Sequence, residues 1–117
     1  MNNFKELKVW QKSVDLSVAI YKLTDKFPQK EQYAISSQMN RGAVSIPSNI
    51  AEGAGRNTKK DFNYFLGIAL GSSFELETQL IIANQLGYLS EDSLNKIISE
   101  LNDIQKMIRG LQKANNC

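Results

Sequence analysis

R-G-A-V-S-I-P-S-N-I-A-E-G-A-G-R, Arg41 to Arg56, is the stretch that decides the fold. Small residues crowd it, a proline sits inside it, and charge marks both ends. Extended back to residue 35, its apolar side chains Ile35, Met39, Ala43, Ile46, Ile50 and Ala54 step by four and three, the spacing of a bundle core stripe. The stripe keeps phase on both sides of Pro47, which predicts one helix kinked there rather than ended. Proline removes a backbone donor and strains the preceding turn by roughly 3 kcal/mol. The carbonyl of Ala43 is thereby freed, and Ser45 and Ser48 are the expected partners for that turn. Arg41, Ser45, Ser48 and Glu52 share a polar stripe away from the core. Gly55 is the expected left-handed cap.

Outward from this helix (about 31–54), the same periodicity predicts three more. The last, about 91–113, has Ser90 as N-cap and acids in its first turn. Leu94, Ile97, Leu101, Ile104, Ile108 and Leu111 then follow a heptad pattern. The third, about 59–86, shows Phe62, Leu66, Ala69, Ser73, Leu76, Leu80 and Ala83 on one stripe, with Thr58 and Asp61 as a capping pair. Gly87 closes it. The first, about 6–26, is different, because it has two apolar stripes. Leu7, Trp10, Val14, Val18 and Tyr21 form one; Val9, Leu16, Ile20, Leu23 and Phe27 form the other. A helix on the outside of a monomeric bundle normally has a single stripe. Either this helix is buried between two others of its own subunit, or one stripe faces another subunit. If the second stripe is the interface, Ile20→Glu should dissociate the assembly. Trp10 and Tyr21 read as packing residues. No stretch alternates with period two. The expectation is an all-α, up-down-up-down four-helix bundle, one domain over residues 1–117.

The composition, 42% hydrophobic and 22% charged, suits one globular core. The net charge is only +2, but it is unevenly placed. Residues 1–60 hold ten Lys/Arg against five acids, a net of +5; residues 61–117 hold four against seven, a net of −3. That asymmetry points to an anionic partner or to subunits that complement one another. The chain has no histidine. Ser-His-Asp and Cys-His catalysis, Glu-x-x-His di-iron sites and histidine-built zinc sites are thereby excluded. The one cysteine, Cys117, cannot close an intrachain disulfide. The N-terminal residues lack the apolar region of a signal peptide, and the uncharged run Phe62 to Phe74 is shorter than the roughly 20 residues a bilayer needs. A cytoplasmic protein without membrane contact is expected, with no catalytic residues, cofactor or metal.

L-K-V-W-Q-K (Leu7 to Lys12), I-Y-K-L-T (Ile20 to Thr24), Phe27-Pro28, V-S-I-P-S-N-I-A-E-G (Val44 to Gly53) and G-S-S-F-E-L-E (Gly71 to Glu77) resemble the four-helix-bundle proteins encoded in intervening sequences of bacterial 23S rRNA genes. The resemblance spans nearly the whole chain; the accessory protein of diversity-generating retroelements is a more distant relative. It implies a left-handed bundle assembling as a homopentamer, with a nucleic-acid-binding role. By the same implication Arg41, Glu52, Gly53 and Arg56 occupy characteristic family positions. Asn40-Arg41-Gly42 stands where an Arg-Arg-Ala run is common, so one basic group is missing beside Arg41.

Two basic features suit nucleic acid. Lys5, Lys8, Lys12, Lys22 and Lys26 lie on one flank of the first helix, placed to neutralise phosphates. Arg56, Lys59 and Lys60 cluster at the start of the third, beside exposed helix N–H groups. The bland reading of both is solvated surface. Arg41 and Glu52 read as structural, with Glu75 or Glu77 as carboxylate partners for Arg41. The leading function is an oligomeric bundle binding RNA or a nucleoprotein electrostatically, since neither a base-reading helix nor an exposed aromatic platform is evident. The other reading is an adaptor ring that docks a protein partner without touching nucleic acid.

Overall fold

The computed structural model describes residues 3–116. It contains four α-helices: α1 (Lys8–Thr24), α2 (Ile35–Ala54), α3 (Lys59–Gln85) and α4 (Glu91–Asn115). Short 3-10 turns at Phe4–Glu6 and Gln29–Glu31 precede the first two, and there is no strand among the described residues. Each helix packs on the next in sequence and α4 returns to α1, so α1 and α3 face across one diagonal of the bundle. This is the all-α four-helix arrangement that the periodicity predicts.

The three single-stripe helices bury the residues expected. Met39, Ala43, Ile46, Ile50 and Ala54 of α2 are in the core, as are Phe62, Leu66, Ala69, Leu76, Leu80 and Ala83 of α3 and Leu94, Ile97, Leu101, Ile104 and Ile108 of α4. Capping sets two of the boundaries. The side chain of Thr58 accepts from the Asp61 N–H and opens α3; that of Ser90 accepts from the Ser93 N–H and opens α4. Gly87, at φ 82°, ends α3. The Tyr88 N–H reaches back to the Ala83 carbonyl and the Gly87 N–H to that of Asn84, each at 2.9 Å, which is the Schellman pattern.

Helix α2 runs unbroken through Pro47. The carbonyl that the proline orphans is satisfied from another helix: Ser17 Oγ of α1 lies 2.9 Å from the Ala43 oxygen. Ser45 and Ser48, expected to serve that turn, do not. Ser45 bonds the Ser72 hydroxyl of α3 instead, and Ser48 is exposed. A serine one helix away is invisible to local spacing.

Three further expectations are corrected. Gly55 is right-handed, φ −83°, and closes α2 through its N–H to the Ala51 and Gly53 carbonyls. Helix α2 begins at Ile35 rather than at 31, because Ala34 (φ −121°, ψ −113°) breaks the helical path and offers no side-chain cap. The stripes of α1 also exchange roles. Val9, Leu16, Ile20 and Phe27, offered as an interface, lie in this chain's own core, with Leu23 packed against them. The other stripe grades outward: Leu7 and Trp10 pack against the core, whereas Val18 and Tyr21 are half exposed. Tyr21 is therefore not a core residue.

Gly53 shows how close α2 and α3 come. A Cβ there would lie 2.8 Å from Phe65 Cβ, 2.9 Å from Phe62 Cδ1 and 3.2 Å from the Phe62 oxygen. Only glycine admits that approach.

Candidate functional site

Lys5, Lys8, Lys12, Lys22 and Lys26 are all exposed on α1 and in the turns before and after it, as the flank reading requires. Their surroundings differ. Lys12 lines a cleft with Asp15, Glu100 and Asp103, one cation among three carboxylates. Lys22 and Lys26 line the next cleft between α1 and α4, together with Ser93, Lys96 and Glu100. Three cations against one carboxylate make this the basic end of the flank. Lys96 was not among the residues read from sequence, because its distance along the chain hides its place beside α1.

The second basic cluster does not assemble as expected. Arg56 Nη2 is 2.7 Å from Glu52 Oε2, an i,i+4 ion pair on the surface, and its guanidinium lies over the Phe65 ring at 4.7 Å. The pair adds roughly 0.3–0.5 kcal/mol in the exposed setting, but it occupies Arg56. Lys59 and Lys60 remain exposed in the first turn of α3. The Glu-to-Arg spacing of four was a legible signal for this pair.

Arg41 does not reach either carboxylate proposed for it. It is exposed on α2 and lines a polar groove of about 620 Å³ with Glu75, Gln38 and Gln79. Glu77 is turned toward α4, where it accepts from Gln105 Nε2 at 2.9 Å. The helix face carrying Glu75 thus points at α2's outer edge, and that carrying Glu77 points away from it.

The outward face of α3 is the surface that sequence reasoning undervalued. Tyr64, Ile68, Phe74, Ile81 and Ile82 are exposed along it, and Leu86 follows at its end. No Lys or Arg occurs between Lys60 and Lys96. By length and composition α3 is apolar enough to cross a membrane, Glu75 and Glu77 notwithstanding, and 33% of that window is buried in the bundle. Contiguous exposed apolar side chains of this kind are a surface that partners can cover.

A model of the 23S rRNA-intervening sequence proteins matches residues 5–110 of this chain. The chain belongs to that family. Among solved structures, it is similar to a protein of unknown function from the S23 ribosomal protein family of Bacteroides thetaiotaomicron VPI-5482, at 26% identity, with a TM-score of 0.83, over 90% of this chain and 95% of that one. No curated protein matches.

The span shared with the 23S rRNA-intervening sequence proteins takes in the lysine flank, the α2–α3 contact at Gly53 and the whole of α3. Among the described residues no group of three or more Asp, Glu, His or Cys is placed to hold a metal ion; Cys117 lies outside them.

Proposed function

We propose that this protein is a non-enzymatic bundle that self-associates through the outward face of α3 and binds RNA phosphates along the basic flank of α1. The observation that carries the reading is the division of its surface. Exposed apolar side chains occupy α3, which has no Lys or Arg of its own after Lys60, and Arg109 of α4 lies over the Phe74 ring at 5.8 Å. Lys5, Lys8, Lys22 and Lys26 are exposed on α1 and the turns at its two ends, across the diagonal. Covering the α3 face with further copies leaves every lysine flank outward. By family resemblance the assembly is a pentameric ring. A net charge of +2 per chain is weak alone, but repeated cationic flanks sum to a strong field and let one long RNA engage several subunits.

Such binding is electrostatic and reads little sequence, because phosphate contacts position a strand without specifying it. The adaptor reading, a ring that docks a protein partner, draws support from Lys12 among its acids and from Arg56 tied to Glu52, which leave fewer free cations.

RNA binding measured across a salt series separates the two. The expected log–log slope is about −0.7 per single-stranded phosphate neutralised, with long RNA bound far better than short. Lys8→Glu, Lys22→Glu and Lys26→Glu together should lower affinity for all sequences. Unchanged affinity for long RNA in that variant favours the adaptor.

A further inference from the structure

Beside α1, on the flank opposite the lysines, a groove of about 510 Å³ opens between the end of α1 and the start of α2. Tyr21, Asp25, Gln29, Gln32, Ser36 and Asn40 are among its walls. Its chemistry differs from that of the rest of the surface. No cation lines it. The Tyr21 side chain is half exposed, and three primary amides, each with a donor end and an acceptor end, surround the opening. The Asn40 oxygen is already taken by Thr24 Oγ1 at 2.8 Å, which leaves its amide nitrogen as the donor on offer. Ser36 is 6% exposed, and its buried hydroxyl has no hydrogen-bond partner among the described residues. Buried polar groups are almost always paired, with protein or with ordered water, so this hydroxyl is a hydrogen-bonding group in reserve beneath the groove.

An aromatic face with amides, a hydroxyl and a carboxylate, and without a cation, repels phosphate and suits a flat neutral ring whose edge both donates and accepts. Unpaired nucleobases are recognised in this way, by stacking on an aromatic side chain and by hydrogen bonds to their edges. The other flank of the same helix supplies what the groove lacks: Lys22 and Lys26 beside Lys96. A helix is about 10 Å across, a width that a few nucleotides of single strand can cross. Lys30, directly after Gln29, is exposed as well.

We infer that this groove seats one unpaired nucleobase, stacked on Tyr21 with its edge bonded by Asn40 and Gln32 above the buried Ser36, while the strand's phosphates lie on Lys22 and Lys26. The inference rests on the RNA reading for the strand, and it adds a local base preference to binding that is otherwise indifferent to sequence.

The test uses neutral nucleosides, which carry no phosphate. Isotope-labelled protein is titrated by NMR with adenosine, cytidine and uridine in turn, and with ribose as the control. Amide signals of Gln32, Ser36 and Asn40 are expected to shift with at least one nucleoside and not with ribose. In a single-stranded RNA rich in that base, Tyr21→Ala should weaken binding roughly five- to one-hundred-and-fifty-fold, the range that loss of one stacked base spans, while Tyr21→Phe retains it. Gln32→Ala, at an exposed position, gives an independent variant with the same direction. Shifts with ribose alone, no shift with any nucleoside, or Tyr21→Ala indistinguishable from wild type would overturn the inference. Salt-sensitive binding of long RNA without nucleoside shifts defeats the groove and leaves the RNA reading standing. Nucleoside shifts without RNA binding do the reverse.

Discussion

Ser17 Oγ donates across the α1–α2 seam to the Ala43 carbonyl, 2.9 Å away, and so satisfies the acceptor that Pro47 leaves without its helical partner. The same hydroxyl also lies 2.9 Å from the Ser13 oxygen, so its one proton is shared. Ser17→Ala should cost about 1–3 kcal/mol, the penalty of a buried group left unpaired. In a Pro47→Ala background the restored N–H bonds Ala43 directly, and Ser17→Ala should then cost clearly less. Urea unfolding of the four proteins gives the cycle; equal costs in both backgrounds would refute the account.

Gly53→Ala sets two effects against each other. Alanine is favoured over glycine in a helix by about 1 kcal/mol. Here its Cβ would press on Phe65 and Phe62 at under 3 Å, and overpacking of this kind costs about 1–3 kcal/mol. A net loss of stability is expected. Gly110→Ala, on α4 with nothing within 4 Å, should gain stability from the propensity alone. A stabilising Gly53→Ala would mean that α2 and α3 can separate freely.

Ile20 and Ile82 distinguish core from interface. Ile20 is fully buried in the chain's own core, so Ile20→Glu should abolish folding, read as lost helical circular dichroism. Ile82 is exposed on α3. Ile82→Glu should keep its helicity and weaken self-association at least tenfold in sedimentation equilibrium, the effect of roughly 1.4 kcal/mol. A wild-type protein that stays near 13.1 kDa at micromolar concentration would remove the assembly reading altogether.

The Tyr88 phenol donates to Glu31 Oε2 at 2.5 Å. That bond, then burial, then the charge of Glu31 raise its pKa above the ordinary 10.0. A raised folded value means that the contribution to stability is complete below about pH 10 and is lost as pH climbs through the folded pKa. Of the four tyrosines, one should ionise later than the rest in an absorbance titration, and Tyr88→Phe should remove that late step. Simultaneous ionisation of all four in the wild type would contradict the contact.

The core was legible because helical periodicity survives any arrangement of neighbours: the Ile35–Ala54 and Phe62–Ala83 stripes needed only spacing. Periodicity names faces but not partners, and for that reason the two stripes of α1 could be exchanged. Two apolar rows on one helix look alike until α2 and α4 choose between them. The Ser17–Ala43 bond and the place of Lys96 beside Lys22 depend on tertiary approach, which spacing does not carry. Arg56–Glu52 was different. Its i,i+4 register stood in the sequence, and Arg56 was read by its charge rather than by its neighbour. Tyr21 was misplaced because an aromatic on an apolar row resembles core until its depth is known.

The stretch of chain without a basic residue, from Lys60 to Lys96, has a chemical consequence. Amine-reactive reagents label α1, the start of α3 and α4, but they cannot touch the outward face of α3. Trypsin likewise has nothing to cut between those two lysines, so that whole face leaves a digest as one long peptide. A protein tethered to a surface through its amines would therefore be held by its basic side, with the α3 face left open to whatever copy or partner is offered to it.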